Sequence, residues 1–453
     1  MEAAKKAQEN KMGVMPVNRL LIGMSLPMMI SMLVQALYNI IDSIYVSRIG
    51  EKALTAVSLA FPLQTLMIAF GVGTGVGINA VLSKALGEGD LEKANKAAEN
   101  GVFLDWVNHI IFLLAGLFLT TPFYVTQTPD REIIEYGRQY LPIICCFSLG
   151  MYAQYVFDRL LQSTGKTIYT MLTQGMGAVI NIFLDPVFIF GYFGIPGMGV
   201  RGAAIATVIS QTIAGTASFV INRKKNTEIR LRIRGFKPDP DMIGQIYRVG
   251  IPTIIMQSIG SVMSFGVNRI LLAFTSTAAA VFGIYFKLQN FVFLPVFGLN
   301  NGVIPIVAYN FGAKDAKRLL QTVKLGICYA VCLMAFGFGV FQLFPSRLLL
   351  LFDASKDMLA IGVPALRIIS LSFILAGFGV VGGAVFQALG NGMYSLMVSA
   401  ARQLLVLLPA AYFLARRGNL GWVWWAFPIA ELVSMGVSVF FFVRIYRRVI
   451  KEL

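Results

Sequence analysis

Five acidic residues lie inside long apolar stretches of this chain: Asp42, Asp105, Asp158, Asp185 and Glu431. An ionised carboxylate at the centre of a membrane costs about 2.5–3.5 kcal/mol, so each of these residues needs a partner or a function. Asp105 and Asp158 are predicted within about two turns of one end of their spans, where water can reach them. We interpret both as interfacial charges.

Asp42 and Asp185 are predicted deeper, at similar depths in two spans that run in the same direction. Asp42 lies about five residues, and Asp185 about seven residues, before the end of its span. Thr207 lies about seven residues into the next, oppositely directed span and reaches the same level. Three polar residues from three helices therefore meet at one depth.

The spacing of neighbouring polar residues indicates that they share a lining, because each series follows one helical face. The two series are Gln35, Asn39 and Asp42 at i, i+4 and i+7, and Gln174, Asn181 and Asp185 at i, i+7 and i+11. Carboxylate, amide and hydroxyl oxygens suit Na⁺, and two nearby carboxylates can also share a proton. We predict a site for H⁺ or Na⁺ at Asp42, Asn181, Asp185 and Thr207. The alternative is a hydrogen-bonded pair that only locks the first span to the fifth.

Other residues are candidates for a substrate cavity or for hinges. Met is easily repacked and aromatic faces attract organic cations. The predicted cavity residues are Met28, Gln35, Tyr38, Asn39, Gln174, Gln257, Asn268, Lys287 and Glu431, with Met32 and Tyr152 as further candidates. Lys287 and Glu431 could form an intramembrane ion pair. Pro27 and Pro186 each remove a helical hydrogen bond and are predicted hinges, although a proline kink can also serve packing alone.

The composition identifies the solvent in which these helices lie. Apolar residue types make up 57% of the 453 residues and charged types only 13%, against about 25% charged in ordinary soluble domains. A soluble fold of this size could not bury so much apolar surface. The first apolar stretch is long enough to span a bilayer, so we interpret it as a retained helix rather than a signal peptide.

Twelve stretches are long and apolar enough to cross a bilayer. They are predicted at 20–47, 54–80, 98–119, 137–158, 168–192, 200–222, 247–274, 281–308, 320–344, 362–388, 393–415 and 422–444. The side that carries both termini also carries most of the 38 Lys and Arg residues, so we predict that this side is cytoplasmic. Arg269, Lys287 and Arg402 fall inside spans. The net charge of +16 thus orients helices and contacts anionic lipid, rather than binding nucleic acid.

The basic segment 223–246 divides the chain into two similar halves. Matching motifs recur 225 residues apart: Pro27 and Pro252, and Gln162-x-x-Gly-x-x-x-Tyr169 and Gln387-x-x-Gly-x-x-x-Tyr394. We predict an N-lobe at 1–222, a cytoplasmic linker at 223–246 and a C-lobe at 247–453. Two repeats of the same orientation are typical of transporters, with the binding site between or within the lobes.

Several motifs together resemble the multidrug and toxic compound extrusion (MATE) family of cation-coupled efflux transporters. They are Pro27, Leu37-Tyr-Asn-Ile-Ile-Asp42, Gly199-Val-Arg-Gly-Ala-Ala204 and the two Gln-x-x-Gly motifs. The resemblance covers nearly the whole chain and is greatest to the DinF-like and MepA-like bacterial members, since spans 7, 8 and 10 lack the acidic residues of the NorM-like branch. It implies an all-α membrane fold of two six-helix lobes, and an N-lobe cation site at the aspartate of the first span and the Asn-x-x-x-Asp of the fifth.

The function expected from the residues and the resemblance is antiport of amphipathic, cationic compounds against H⁺ or Na⁺ across a bacterial plasma membrane. Gly71–Gly77 contains no phosphate-binding motif, so we expect no ATP, and we read it as close helix packing. One His and four scattered Cys favour neither a metal centre nor a membrane enzyme, and no cofactor is expected. A flippase for lipid-linked substrates, or an exporter of a single metabolite, is the alternative. Paired acidic sites and the repeat disfavour a pore.

Overall fold

The protein is an all-α bundle of twelve bilayer-length elements, shown by a computed structural model that describes residues 10–232 and 235–453. The first six are α1 (Val17–Ser47), α2 (Glu51–Gly87), α3 (Leu91–Phe118), α4 (Arg131–Cys146 and Leu149–Ser163), α5 (Thr167–Pro186, continued by a π-helix at Val187–Gly191) and α6 (Val200–Lys225). The second six are α7 (Pro240–Leu272), α8 (Ser276–Gly312), α9 (Ala316–Leu343), α10 (Lys356–Ser370 and Ser372–Ala388), α11 (Gly392–Ala400, a π-helix at Ala401–Leu407, and Leu408–Ala415) and α12 (Ala426–Arg448). Short helices at Lys11–Val14, Thr120–Gln127, Pro345–Leu350 and Leu420–Val423 connect or precede them.

Ten of these elements are single helices long and apolar enough to cross a membrane. The other two, α4 and α10, are pairs bent by 42° and 46°, and each counts as one span. The predicted count of twelve spans therefore agrees with the described part of the chain.

The predicted linker 223–246 is too long at both ends. Helix α6 continues to Lys225, and α7 begins at Pro240. The early start has a local cause, since Asp239 caps α7 by accepting hydrogen bonds from the backbone N–H groups of Asp241 and Met242. Proline is also well suited to the first helical turn. The segment between the helices is fastened to α3, where the Arg230 N–H donates to Asn95 Oδ1 at 2.7 Å.

The two six-helix lobes repeat the same backbone plan. Adding 225 to the bounds of α2 and α3 gives the bounds of α8 and α9. The bends of α4 and α10 fall at equivalent places, because their first segments begin at Arg131 and Lys356. The fold is therefore two pseudo-symmetric lobes, as the sequence predicts.

The lobes meet through glycines near the side of the molecule that carries both chain ends, which we call the termini side. A Cβ atom at Gly87 would lie 1.9 Å from the carbonyl oxygen of Tyr309, and one at Gly312 would lie 2.1 Å from that of Lys84. Deeper in the molecule, a Cβ atom at Gly73 would lie 2.4 Å from the Ile254 side chain. These contacts hold the lobes together on the termini side.

The segment before α1 reinforces this contact. Arg318 of α9 donates from Nη2 to the carbonyl oxygens of Met12 and Met15, at 2.9 and 2.7 Å. Asn10 donates from Nδ2 to Glu228 Oε2, at 2.9 Å, on the N-lobe side. Burial raises the pKa of the Glu228 carboxyl, and the nearby Lys166 ammonium opposes that change. Residues 10–15 thus bridge the two lobes.

Candidate functional site: an N-lobe oxygen cluster and a central cavity

The structure brings Asp42 of α1, Asn181 and Asp185 of α5, and Thr207 of α6 together. Asn181 Nδ2 donates to Asp185 Oδ1 at 3.3 Å and to Thr207 Oγ1 at 3.4 Å. The carboxyl groups of Asp42 and Asp185 are in hydrogen-bonding contact. Two carboxyl groups in contact cannot both be ionised unless a proton or a cation lies between them.

Local packing explains why the cluster forms at this level. Helix α5 ends at Pro186 and continues as the π-helix Val187–Gly191, a distortion that is frequent at functional sites. A Cβ atom at Gly202 would lie 2.2 Å from the carbonyl oxygen of Phe188, so only glycine lets α6 approach so closely. This approach places Thr207 beside Asn181.

The cluster has more oxygen acceptors than donors. Asp42 Oδ1, Asn181 Oδ1 and Asp185 Oδ2 are buried and have no hydrogen-bond partner. Buried polar atoms are nearly always paired, so three orphan oxygens from neighbouring residues indicate a missing positive charge. Within the described residues, no group of three or more His, Cys, Asp or Glu side chains could hold a metal. The donor set instead suits a proton or Na⁺.

Asp158 and Asp105 are not interfacial, and that interpretation is wrong. Asp158 is 2% exposed, and its Oδ1 accepts from Thr173 Oγ1 at 2.9 Å and Ser218 Oγ at 2.5 Å. Its Oδ2 accepts from Gln174 Nε2 at 3.0 Å. Asp105 is 4% exposed. Depth along a span does not show which face of the helix a residue occupies, and both residues face neighbouring helices.

A cavity of about 770 Å³ lies between the lobes. The predicted residues that line it are Met28, Gln35, Tyr38, Gln174, Gln257 and Glu431, together with Met32. Asn181 also lines it, so one side chain belongs to both the oxygen cluster and the cavity.

Four cavity predictions are wrong. Asn39 is exposed outside the cavity, Asn268 is half-buried outside it, and the Tyr152 hydroxyl is used in a hydrogen bond to the carbonyl oxygen of Met67. Lys287 is exposed, and its ammonium lies 5.9 Å from the ring centroid of Phe352.

Because Lys287 points elsewhere, the conceivable Lys287–Glu431 ion pair does not form. The partner of Glu431 is Arg402 of α11, whose Nη1 lies 3.6 Å from Glu431 Oε1. Pro27 lies within the continuous helix α1, and Pro186 leads into the π-helix, so both remain predicted hinges.

The sequence analysis assigned no role to two arginines that line the cavity. Arg159 of α4 donates from Nη1 to Gln162 Oε1 at 2.8 Å and, across the lobes, to Asn301 Oδ1 at 2.9 Å. Arg402 is the second. The available signal was their position, since an ionisable residue inside a span is a functional candidate by default.

The comparisons with known proteins agree with this architecture. The family model MatE matches residues 27–187 and 252–413. The multidrug export protein MepA of Staphylococcus haemolyticus is 28% identical over 417 residues, 92% of this chain and 91% of that protein. MepA of Staphylococcus aureus (strain MSSA476) is 26% identical over 424 residues, with the same two coverages.

A solved structure described as the outward-facing conformation of a multidrug resistance MATE family transporter is similar over the full length. It has a TM-score of 0.90 and 25% identity, and the match covers 100% of this chain and 99% of that one. Two copies of the family model, 225 residues apart, coincide with the two lobes described above. The chain therefore belongs to the MatE family of membrane transporters.

Proposed function

We propose that the protein is a secondary multidrug efflux antiporter, a transporter rather than an enzyme. It exports amphipathic, cationic organic compounds in exchange for H⁺ or Na⁺ by alternating access. The observation that carries the proposal is the oxygen cluster with three unpartnered acceptors, which shares Asn181 with the central cavity. A coupling ion and a substrate would therefore act on the same helices.

The bias of Lys and Arg supports an orientation with the termini side in the cytoplasm of a bacterial cell. In that orientation the glycine contacts close the cytoplasmic side, as in an outward-facing state. The printed function of the MepA relatives, multidrug export, supports the class of substrate. No ATP, nucleic acid or cofactor is part of the proposal, and the surrounding partner is membrane lipid.

Coupling follows from competition between two occupants of one lobe. A cation at Asp42 and Asp185 supplies the missing positive charge and favours one arrangement of α1 against α5. These helices also meet at the cavity, where Ser31 Oγ donates to Gln174 Oε1. A substrate that favours the other arrangement lowers the affinity for the ion, and linkage makes the effect reciprocal. Pro27 and Pro186 are the proposed hinges for this change.

The test is export of ethidium from a bacterium that lacks its own drug pumps, with the Na⁺ and proton gradients collapsed separately. We expect export to need one gradient, and Asp42→Asn and Asp185→Asn each to reduce it by about ten- to a hundredfold. Ala410→Asn is the matched control, because Ala410 lies 225 residues after Asp185.

Normal export by both aspartate variants would overturn the proposed ion site. A folded protein that exports no dye under any gradient would overturn the multidrug proposal, in favour of a single metabolite or a lipid-linked substrate.

A further inference from the structure

Four charged side chains line the central cavity, and they differ in how firmly they are held. They are Asp158, Arg159, Arg402 and Glu431. Asp158 accepts three hydrogen bonds of 2.5–3.0 Å, and Arg159 donates two of 2.8–2.9 Å. These are normal lengths for hydrogen bonds to charged groups, so both side chains are locked in place.

The Arg402–Glu431 pair is held loosely by comparison. Its shortest nitrogen–oxygen distance is 3.6 Å, which is too long for a hydrogen bond. Glu431 Oε1 is buried and has no hydrogen-bond partner at all. An incompletely paired carboxylate inside a membrane protein is costly, and it gains if a better-placed cation arrives.

The two partners differ in their freedom to move. The Glu431 side chain is 8% exposed, whereas that of Arg402 is 27% exposed. Arg402 lies in the π-helix Ala401–Leu407, where the regular helical hydrogen bonds are interrupted. Glu431 instead packs against Gly379, where an added Cβ would lie 3.4 Å from Oε1. Glu431 is therefore part of the wall, and Arg402 is the partner that can swing away.

Aromatic rings complete the surroundings of Glu431 in the cavity. Tyr285, Phe286 and Phe427 line the same cavity, and the rings of Tyr285 and Phe427 lie 5.8 Å apart. Aromatic faces beside a carboxylate attract organic cations that carry an apolar body.

We propose that Glu431 is the site for the positive charge of the substrate, and that Arg402 is a built-in competitor that occupies this site when the cavity holds no substrate. An amphipathic monocation displaces the guanidinium and takes its place between the carboxylate and the rings. Arg402 thereby restricts the cavity to ligands that bind Glu431 better than it does. This inference rests on the proposed function, because it takes the cavity to be the substrate site.

The test uses two ions of nearly equal shape and opposite charge, tetraphenylphosphonium and tetraphenylborate. Their dissociation constants are measured on the full chain in lipid nanodiscs, without an ion gradient. We expect wild type to prefer the phosphonium ion. Arg402→Gln removes the competitor and should tighten phosphonium binding by about tenfold. Glu431→Gln frees Arg402 and should shift the preference towards tetraphenylborate by a similar factor.

The double variant Arg402→Gln/Glu431→Gln leaves no unpaired charge, so it keeps the test valid if a single variant does not fold. It should bind both ions with nearly equal affinity. Lys287→Gln is the matched control, since it removes a C-lobe cation outside the cavity and should change neither affinity.

The proposal is overturned if the double variant keeps the wild-type preference, or if all three variants weaken both ions equally, which is the pattern of a purely structural ion pair. Failure here is distinguishable from failure of the proposed function. Binding is measured without a gradient, whereas the Asp42 and Asp185 variants are scored by gradient-driven export.

Discussion

The two lobes have nearly the same backbone but different chemistry inside it. Residues 225 positions after Asp42, Asn181, Asp185 and Thr207 are Val267, Val406, Ala410 and Leu432. Every oxygen ligand of the N-lobe cluster is thus replaced by a hydrocarbon side chain in the C-lobe. The fold therefore does not require the cluster, since the C-lobe builds the same helices without it.

The difference also runs in the other direction. Arg402 and Glu431 of the C-lobe correspond to Gly177 and Ala206 of the N-lobe. Each lobe thus carries one charged device that the other lacks, on the equivalent helices α5 and α6 or α11 and α12. The comparison supports a division of roles, with the ion at the N-lobe cluster and the substrate charge at the C-lobe pair.

The largest effect is expected where the lobes are alike, at the glycine contacts on the termini side. Gly87→Ala and Gly312→Ala each place a methyl group against a backbone carbonyl of the other lobe, so the lobes must move apart. Overpacking of this kind costs about 1–3 kcal/mol, which shifts the ratio of open to closed molecules by about five- to 150-fold. Both variants should open the termini side and reduce export.

The distance between spin labels at Lys96 and Lys317, on the same side of the two lobes, measures this opening. Gly175→Ala and Gly283→Ala are matched controls, because no atom lies within 4 Å of a Cβ atom at either position. A label distance that changes in only one of the two interface variants would contradict the equivalence of the lobes.

The sequence predicts the twelve spans and the oxygen cluster because both depend on depth and helical period alone. A bilayer sets the length of each span, and the i, i+4 and i+7 spacing sets the face. The end of α6 and the start of α7 were missed, since the Asp239 cap acts outside the apolar stretch.

The C-lobe pair could not be predicted in the same way. Pairing Lys287 with Glu431 assumed that two charges at membrane depth find each other. The π-helix Ala401–Leu407 changes the register of α11, and Arg402 is the residue that reaches Glu431. Which helix faces which is a matter of packing between helices, and a single hydropathy pattern does not contain it.

A smaller effect tests whether the N-lobe really holds Asp158 firmly. Ser218 Oγ donates to Asp158 Oδ1 at 2.5 Å, so Ser218→Ala leaves a buried carboxylate oxygen short of a donor. We expect a loss of about 1.5–3 kcal/mol in the free energy of unfolding. Ser438 of α12 is equally buried, but its hydroxyl has no partner. Ser438→Ala should therefore change stability by less than about 0.5 kcal/mol.

Unfolding by denaturant in one detergent, followed by tryptophan fluorescence, compares the two serine variants directly. Equal losses for both would mean that the hydrogen bond to Asp158 contributes nothing beyond the burial of a hydroxyl group. The claim that Asp158 is locked while Glu431 is available would then lose its support.

The smallest effect concerns two equivalent helix caps outside the membrane-spanning segments. Asp130 caps α4 by accepting from the Glu132 N–H at 2.9 Å, and Ser355 caps α10 by accepting from the Met358 N–H at 3.2 Å. The hydrogen bond from Lys52 lowers the pKa of the Asp130 carboxyl below its ordinary value of 3.8. Because the folded-state pKa is lowered, this stabilisation is present above pH 3.8 and is lost as the pH falls through the folded-state value.

Asp130→Ser keeps a capping oxygen but removes the titrating group, and so makes the N-lobe cap resemble that of the C-lobe. We expect wild type to melt higher than the variant by no more than about 2 °C near pH 6, and this difference to vanish as the pH falls towards 3. Ser355→Ala serves as the control, because the cap it removes does not titrate and its effect should be the same at both pH values. A difference between wild type and Asp130→Ser that stays constant with pH would show that the Lys52–Asp130 contact, at 3.1 Å, gives the N-lobe no stability of its own.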